Sequence, residues 1–593
     1  MQFERLAQLV KNLFKSSNFW PVVVVLLFAL LAGRTLLTSG YFNMHDDLQL
    51  MRQLEMEKCF YDGQVPCRWV PDMGYGFGFP LFNFYPPLPY LVGQVFRTVG
   101  FTFIDTIKVV FLMSFIVSGV TMYFLSKDFF GRLGGVVSSA FYIWAPYHSV
   151  DIYVRGAMNE AWALSWFPLI LWAGYKMLSV DKKEVNKWIV ALSLSWSALL
   201  LSHNLMAMIF APVFGGWCLI FLWKKKDFLF KVKSMVTSAL LALGLSAFFT
   251  LPAVLEQKYV HVDTLVMGYY EYIAHFANIS QLLFSRFWGY GPSVWGENDG
   301  MPFMVGHIHW VLSLIIIAIL LYGFVSRKKF SDNHQTLYAT IFFFIVGWLA
   351  VFMIHSRSTF IWNAIVPLKF VQFPWRFLTL VILSFSFVSG YVVVLLKPYG
   401  KLRFLISGAL LVGLVAFNWN YFLPLGGKMG PLTEAQKFTG AAWDLQRTAG
   451  IFDYLPKSAI ENPKEGMNRL TEVVDGKSVV TNETAGTDWA KFKVDVLSDT
   501  SDIRVGIFKF PNWKVYVDGS EVEINIPDTE KWGRSYIKVP KGTHDVYFKL
   551  HNTPIRSISN LVSFVSWFGL ILFALKPGFV LQFKRGQRNR RTS

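Results

Sequence analysis

Charged residues are scarce in this sequence. Only 16% of its 593 residues are Asp, Glu, Lys or Arg, whereas 54% are hydrophobic and 17% are aromatic. A soluble globular protein carries about a quarter charged residues, so the composition argues against that class. Apolar runs of about 20 residues recur along the chain, and each is long enough to span a bilayer as a helix. The composition therefore predicts a polytopic helical membrane protein, because backbone polar groups in lipid need internal partners.

Several other features are missing. The first 420 positions lack the alternating segments of about 10 residues that a transmembrane β-barrel requires. The first apolar run, FWPVVVVLLFALLAGRTLLT, has no small-residue cleavage site and is too long for a signal-peptide core, so we expect a retained helix. No repeat of about 20–50 residues is evident. Of the three cysteines, Cys218 lies in an apolar run, while Cys59 and Cys67 share a loop and would pair in an oxidising space.

Acidic residues are outnumbered by basic ones, which gives a formal net charge of +18. Most of the excess lies in short loops, as the positive-inside rule expects, so nucleic-acid binding is a poor explanation. The basic segments assigned to the cytoplasm are 176–187, 223–233, 326–332, 397–403 and 584–591. Alternation then assigns the following segments to the outer face: 39–83, 148–159, 202–204, 253–302, 355–371 and 424–556.

Residues 84–100 are short, begin with prolines and contain Arg97. If they crossed, the basic segments 11–15 and 126–132 would lie on opposite sides, so we expect this segment to dip into the outer leaflet. A true crossing is the alternative, so the bundle would have about 12–13 helices. The twelve predicted spans are 19–38, 103–125, 133–147, 160–178, 187–202, 204–223, 234–253, 303–325, 336–354, 373–396, 402–423 and 558–576.

The last predicted outer segment, 424–556, differs from the preceding residues in composition and in hydrophobic pattern. Proline, glycine and charge increase there, and alternation with period two in KFKVDVL, IRVGIFKF and HDVYFKL predicts strands. Asp518-Gly519 between two short strands indicates a hairpin. We therefore expect an outward β-sandwich-like domain after a transmembrane domain. The predicted division of the chain is 1–18 (cytoplasmic), 19–423 (transmembrane), 424–556 (β-rich), 557–576 (final helix) and 577–593 (basic cytoplasmic tail).

Ionisable groups near or inside a membrane are costly, so they are functional candidates. The predicted outer segments contain acids and cations together, and this pattern is typical of a site that faces an anionic leaving group. Arg binds phosphate bidentately, and Asp deprotonates a hydroxyl or holds a cation. Each candidate also has a purely structural explanation. The HDD acids would cap a helix end, and Arg155 and Glu160 would form a structural ion pair. His203 would be a histidine with satisfied hydrogen bonds, and Arg376 would reach to lipid headgroups. The candidates are His45, Asp46, Asp47, Arg155, Glu160, His203, Lys369 and Arg376.

A second set of polar residues lies in the segment WGENDGMPFMVGHIHW, which contains Glu297, Asp299, His307 and His309. The HIH triplet resembles a zinc pair, but no convincing third ligand is visible, so a metal role there is disfavoured. The glycines and aromatic residues of YGFGFPLFNFY (75–85) are typical of an interfacial belt, and stacking on sugars is the alternative.

Several of these segments together resemble a known family. HDDLQLMRQLE, GYGFGFPLFNFYPPLPY, YVRGAMNEAWAL, SHN and QFPWRFL are similar to the bacterial polytopic family labelled "6-pyruvoyl-tetrahydropterin synthase related", akin to YfhO-type proteins and more distantly to GT-C glycosyltransferases. The ending FPNWKVYVDGSEV…VPKGTHDVYFKL resembles the outward C-terminal domain of YfhO-type members. The pterin label implies no pterin chemistry, because the sequence contains no soluble synthase core.

The resemblance implies a membrane-embedded glycosyltransferase in the bacterial cytoplasmic membrane, with its active face outside. A polyprenyl-phosphate-linked sugar would be the donor, and a surface glycan, lipid or protein the acceptor. An acid of the first outer loop would act as base or metal ligand, which points to Asp46 or Asp47, while Arg155, His203 and Arg376 would contact the phosphate. The loop reads HDD followed by Leu, whereas the best-studied GT-C members have an Asp-Glu pair, so the choice between the two acids stays open.

Two further questions stay open at this stage. No cofactor is indicated with certainty, and a divalent cation, Mg²⁺ or Mn²⁺, held by Asp46 or Asp47 is an alternative. The rival function is a non-enzymatic lipid or glycan carrier, or a scaffold for assembling surface polymers, in which the same basic cluster binds lipid phosphates without reacting them. The paired halves typical of many transporters are not found in the sequence, and this favours the enzyme.

Overall fold

The computed structural model describes residues 17–223, 225–296, 298–326, 333–449 and 454–575. It is mostly helical, with an antiparallel sheet near its C-terminal end, which confirms the predicted fold class. The predicted tail 577–593, most of the predicted N-terminal segment 1–18, and Glu297 lie outside the described residues.

Nine helices in the described part of the chain are long and apolar enough to cross a membrane. All twelve predicted spans fall on helices. The first is shorter than predicted, because the α-helix ends at Ala32 and a 3-10 helix, Arg34–Leu37, follows it. The described α-helices are Phe19–Ala32, Gln49–Tyr61, Leu81–Phe84, Leu88–Thr98, Phe103–Ile143, Pro146–Ser149, Met158–Ser179, Val185–Ser202, Asn204–Leu222, Phe228–Leu255, His307–Val325, His334–Ile354, Thr359–Ala364, Leu378–Ser389, Val392–Leu395, Leu402–Asn418, Glu434–Lys437, Gly440–Thr448 and Pro554–Leu575.

The range Phe103–Ile143 is a helical hairpin. Gly131 has φ 74° and ψ −179°. These backbone angles are not helical, and glycine adopts them without steric cost. The two arms then run back along each other, since the Ser139 hydroxyl donates to the Gly119 carbonyl at 2.9 Å. The predicted spans 103–125 and 133–147 are the two arms of this hairpin.

The segment that was predicted to dip forms the helix Leu88–Thr98, which has 11 residues. A helix of this size is about 16 Å long, roughly half the hydrocarbon thickness of a bilayer. Arg97 near its end pairs with Glu57 of the first outer loop, with Nε and Oε2 2.6 Å apart. A helix of this length is too short to span a bilayer, and its position on the outer side stays a prediction.

The β-rich domain contains one antiparallel sheet of six strands, in the order β1-β3-β6-β4-β5, with β2 also paired to β3. The strands are β1 (Thr471–Asp475), β2 (Ser478–Ala485), β3 (Trp489–Phe508), β4 (Trp513–Val517), β5 (Ser520–Val522) and β6 (Arg534–Leu550). The register of β3 on β6 shifts between Val496 and Thr500, and such irregularities bend strands. Where the sequence predicted a β-sandwich-like domain, the described strands form one antiparallel sheet with irregular register. The predicted Asp518-Gly519 hairpin is confirmed between β4 and β5, with positive φ at both residues.

The first outer loop packs against this sheet domain. Trp69 contacts Phe510 and Trp513, with ring centroids 5.5 and 5.6 Å apart. The loop is closed by a disulfide between Cys59 and Cys67, as the sequence allowed for an oxidising space. Contacts of this kind hold the loop, and the acids at its start, in one position.

Candidate functional site

The segments 39–83 and 148–159, which the sequence predicts to be outer loops, are joined through their backbones. The His45 amide donates to the Val154 carbonyl at 3.0 Å, and the Asp46 amide donates to the Arg155 carbonyl at 2.9 Å. The HDD stretch is therefore held directly beside the residue that was predicted to bind phosphate. The side chains point to different partners, since Asp46 pairs with Arg52 and Arg155 pairs with Asp151 and Glu160, so a shared substrate cavity stays a prediction.

Gly156 makes this close approach of the loops feasible. Its φ is +62°, and a Cβ added there would lie 2.2 Å from the Met44 sulfur. We expect Gly156→Ala to lower the free energy of unfolding by about 1–3 kcal/mol, through backbone strain and the displaced Met44. Thermal unfolding of the purified protein measures this loss. Gly413→Ala is the matched control, since a Cβ there meets nothing within 4 Å; equal melting temperatures for both variants would contradict the prediction.

The two acids of HDD have different surroundings. Asp46 accepts hydrogen bonds through Oδ2, from Arg52 at 2.7 Å and from Gln49 at 3.1 Å. Asp47 pairs through Oδ2 with Lys437, in the segment that leads to the sheet domain. Its Oδ1 is buried without a hydrogen-bond partner among the described residues. Burial raises the pKa of Asp47, and the Lys437 ammonium offsets part of this rise. Asp47 therefore fastens the loop, while Asp46 engages its neighbours through one carboxylate oxygen.

A buried cluster of opposite charges lies behind this loop. The Arg155 guanidinium contacts Glu160 Oε2 at 2.9 Å and Asp151 Oδ1 at 2.5 Å. Arg376 lies on the other side of Glu160, with Nε and Oε2 3.4 Å apart. The Tyr147 hydroxyl donates to Glu160 Oε1 at 2.8 Å. Arg155 and Glu160 are five residues apart but meet because Arg155 directly follows the π-helical turn Val150–Val154 and Glu160 lies in the first turn of the helix Met158–Ser179.

Two arginines in this cluster face two carboxyl groups, those of Asp151 and Glu160. Burial and the Glu160 charge raise the pKa of Asp151 well above its usual range, and the Arg155 guanidinium offsets part of this rise. Burial lowers the pKa of Arg155, but the carboxylates around it raise it further, so the guanidinium stays charged. Arg155 and Arg376 both face the carboxylate of Glu160.

The remaining predicted residues have different positions. His203 follows the helix Val185–Ser202, and burial and the neighbouring Arg376 lower its pKa to about 3. The imidazole is therefore neutral at pH 7, so a role as a cation for phosphate is not supported. Lys369 lies in the 3-10 helix Val366–Val371, seven residues before Arg376, and forms no ion pair within the described part of the chain. His45 Nε2 contacts the Tyr290 carbonyl at 3.0 Å.

The surroundings of Asp46, Asp47 and the HIH triplet argue against a metal site at either place. The carboxylates of Asp46 and Asp47 already face Arg52 and Lys437, and a divalent cation prefers several oxygen ligands without nearby cations. Among the described residues, no group of three or more His, Cys, Asp or Glu is arranged to hold a metal ion. His309 of the HIH triplet is buried and bonds the Phe141 carbonyl at 2.9 Å. The acids as arranged do not fit a divalent cation.

Several residues of the site were not among the sequence candidates. Trp375 lies under Arg155, with the guanidinium 4.5 Å from a ring centroid. Gln372 accepts a bond from Arg376 at 2.9 Å. Tyr147 and Lys437 were also missed. Trp375 and Gln372 lie just before Arg376 in QFPWRFL, so they could have been included from the sequence. Lys437 is distant in sequence from Asp47, and no local pattern indicates their contact.

Comparisons with known proteins give distant matches. No family model matches the chain. An uncharacterized protein from Lactococcus lactis subsp. cremoris (strain MG1363) is 23% identical over 354 residues, which cover 57% of this chain and 54% of that protein. The match thus spans about half the length of this curated relative. The resemblance to the YfhO-type family stays a prediction.

Similar solved structures include ArnT from Cupriavidus metallidurans bound to undecaprenyl phosphate, with TM-score 0.39 and 12% identity over 68% of this chain and 64% of that chain. Another is the oligosaccharyltransferase AglB from Archaeoglobus fulgidus in complex with an inhibitory peptide and a dolichol-phosphate, with TM-score 0.41 and 12% identity over 76% of this chain and 62% of that chain. At TM-scores this low, the likeness carries no argument about this chain's activity.

Proposed function

We propose that this integral membrane protein is a GT-C-type glycosyltransferase of the bacterial cytoplasmic membrane. It transfers a sugar from a polyprenyl-phosphate carrier to a surface glycan, lipid or protein on the outer side. The observation that carries the proposal is the backbone pairing of His45 and Asp46 with Val154 and Arg155. This pairing brings the backbone of a partly exposed acid, Asp46, next to that of an arginine in the buried ion-pair cluster, and this supports a transfer site with a phosphate leaving group.

The reaction is a single displacement. The acceptor hydroxyl oxygen attacks the anomeric carbon, and the bond from that carbon to the phosphate oxygen breaks with its electron pair staying on the phosphate. The configuration at the anomeric carbon inverts. Asp46 takes the acceptor proton, because its carboxylate meets Arg52 and Gln49 through one oxygen, whereas both oxygens of Asp47 are bound or buried. A positioned base contributes roughly 10²–10⁴ in rate.

The leaving phosphate meets the cationic side of the cluster. Arg376 and Arg155 are both nearly buried, and Arg376 faces Glu160 through Nε. Arg155 is held between Asp151, Glu160 and the Trp375 ring, so it acts by keeping the second outer loop in place and by adding positive charge. Preorganised charge of this kind stabilises a leaving anion without reorganisation.

The test is turnover in liposomes with a panel of polyprenyl-phosphate sugars, starting with undecaprenyl-phosphate carriers. We expect at least one donor to be consumed and its sugar to appear on an acceptor, with or without Mg²⁺ or Mn²⁺. The Asp46→Asn, Asp47→Asn double variant is expected to lose transfer. Full transfer by that folded double variant would contradict the proposed chemistry and favour the carrier or scaffold function. A strict requirement for metal would show that a divalent cation binds the acids after all.

A further inference from the structure

The two faces of the antiparallel sheet have different surroundings. On one face, Trp513 of β4 contacts Trp69 of the segment 39–83, with ring centroids 5.6 Å apart. Side chains alternate between the two faces along a strand. The side chain of Tyr516 therefore lies on the opposite face, as does that of Tyr547 in β6, which is 40% exposed between two buried neighbours. This second face is turned away from the segment that contains HDD.

The second face contains a cleft with a volume of about 720 Å³. One side of the cleft is the turn between β4 and β5 at Gly519. The other side contains Asn482 of β2, where the register with β3 shifts and φ is 55°. Between these two sides, the cleft is lined by side chains of β3, β4 and β6, namely Lys491, Lys493, Tyr516, Asp545 and Tyr547. The irregular strand and the hairpin therefore enclose part of the exposed sheet face.

Two tyrosine rings lie side by side in the cleft. Tyr516 and Tyr547 are opposite each other on β4 and β6, and their ring centroids are 6.5 Å apart with an angle of 28° between the ring planes. The Tyr516 hydroxyl contacts His551 Nε2 at 3.2 Å, whereas the Tyr547 hydroxyl has no hydrogen-bond partner among the described residues. Tyrosine has an apolar ring and a polar hydroxyl, so the pair suits a ligand that has both kinds of surface.

The charged groups of the cleft are also available to a ligand. Lys493 and Asp545 pair at 3.4 Å, but their side chains are 52% and 72% exposed, so little free energy is lost when this pair opens. Lys491 has no carboxylate partner within the described part of the chain, and its ammonium lies 5.5 Å from the Trp489 ring centroid. The two lysines and the aspartate leave an excess of positive charge in the cleft. This excess favours a ligand with an acidic group.

We propose that this cleft binds an acidic glycan. A sugar ring has apolar C–H groups on its faces and hydroxyl groups around its edge, and this pattern matches tyrosine rings surrounded by polar side chains. One sugar ring stacks on Tyr516 and Tyr547. Its hydroxyl groups bond Asn482 and Asp545, and the carboxylate or phosphate of the glycan pairs with Lys491. In sites of this kind, a few polar groups around an apolar surface fix the orientation of the ligand.

Other occupants fit the cleft less well. A peptide that extends the sheet pairs with an edge strand, whereas this cleft lies on the face of the sheet. A lipid chain needs an apolar groove, whereas Lys491, Lys493 and Asp545 line this one. A glycan is the occupant that uses the aromatic rings and the charged groups together.

The cleft is separate from the candidate transfer site. The face that packs on Trp69 lies toward the segment with HDD, and the cleft is on the other face. The proposal does not rest on sugar transfer, because a carrier or a scaffold for surface polymers would bind a glycan there as well. In each case, the cleft attaches the sheet domain to a glycan on the predicted outer side of the membrane.

The test measures the binding of oligosaccharides by the full chain in phosphatidylcholine nanodiscs, with isothermal titration calorimetry. The acidic probes are hexagalacturonate and the hyaluronan hexasaccharide, which carry carboxylates, and pentamannose phosphate, which carries a phosphate. Maltohexaose is the neutral probe. We expect at least one acidic probe to bind more tightly than maltohexaose, and its affinity to fall as salt is added. Binding of a carboxylate probe or of the phosphate probe supports the proposal and identifies the acidic group.

Replacing both tyrosines removes the stacking surface. We expect the Tyr516→Thr, Tyr547→Thr double variant to bind the acidic probe at least about tenfold more weakly. Threonine is chosen because it keeps the preference for a strand. Tyr61→Thr is the matched control, since Tyr61 is 82% exposed and lies outside the cleft.

Replacing Lys491 tests the role of the acidic group. We expect Lys491→Gln to weaken binding of the acidic probe about two- to fivefold, and to leave the affinity for maltohexaose unchanged. Lys538→Gln is the matched control, because Lys538 is an exposed lysine of β6 outside the cleft, and its replacement should change neither affinity.

Other results would overturn the proposal. These are the failure of every acidic probe to bind, wild-type affinity in the folded tyrosine double variant, or an equal loss in Tyr61→Thr. Full competition by polyglutamate, which has acidic groups but no sugar, would show a general cationic surface instead. If the double variant does not fold, Tyr547→Thr alone is measured, and wild-type affinity in it would also contradict the proposal. Sugar transfer is not part of this readout, so its outcome is separate from that of the proposed function.

Discussion

Replacing Asp46 by Asn will lower the rate of sugar transfer by about 10²–10⁴-fold while leaving the fold intact. Asn has nearly the same shape and still accepts a hydrogen bond from Arg52 through its carbonyl oxygen, but it does not take up a proton. The loop stays in place because its backbone bonds to Val154 and Arg155 do not involve the side chain. Single-turnover transfer from the donor found in the liposome panel measures the loss directly.

Two variants control this experiment. Asp263→Asn changes another acid of an outer loop, whose side chain is 59% exposed, and should leave transfer unaltered. Asp47→Asn removes the pair with Lys437 and is expected to slow transfer less than Asp46→Asn, since Asp47 holds the loop in place and does not contact the acceptor. Wild-type transfer by Asp46→Asn, or complete loss in Asp47→Asn alone, would show that the base is assigned to the wrong residue.

Replacing Glu160 by Gln will destabilise the protein by about 3–5 kcal/mol, because it leaves two buried arginines without their shared carboxylate. Its carboxylate is 1% exposed, so water does not screen the loss. The melting temperature of the purified protein in detergent is expected to fall by several degrees. Transfer should fall as well, since Arg155 and Arg376 lose the group that holds them in place.

Glu184→Gln is the matched control for this change. Glu184 pairs with Lys187 at 2.8 Å but is 40% exposed, and surface pairs of this kind contribute about 0–1 kcal/mol. The melting temperature of this variant should therefore stay close to that of the wild type. An equally small effect of Glu160→Gln would mean that Arg155 and Arg376 find other partners, and that the cluster is not the rigid unit described above.

The helices of this protein could be predicted from the sequence because lipid imposes one strong condition. A run of apolar residues long enough to cross a bilayer has few other interpretations, and all twelve predicted spans lie on helices. The strands of KFKVDVL and HDVYFKL and the Asp518-Gly519 turn were also predictable, since alternation and turn chemistry are local properties. The single, irregular sheet was not, because its pairing joins distant segments.

The candidate site was partly predictable for the same reason. Asp46, Arg155, Glu160 and Arg376 stand out because charge beside long apolar runs is costly. Their mutual arrangement depends on contacts such as that of Asp47 with Lys437, which joins residues hundreds of positions apart and has no sequence signature. The neutral state of His203 likewise follows from its burial and its neighbours, which the SHN triplet does not encode.

The most direct test of the central claim is the side of the membrane on which HDD lies. Asn43 is exposed and precedes HDD, Cys218 is buried, and Cys59 and Cys67 are bonded to each other, so Asn43→Cys gives one new accessible thiol. A membrane-impermeant maleimide applied to intact cells should label Asn43→Cys, and Lys183→Cys in a basic loop only after permeabilisation. Labelling of Asn43→Cys only after permeabilisation would place the acids in the cytoplasm and contradict an outward-facing transfer site.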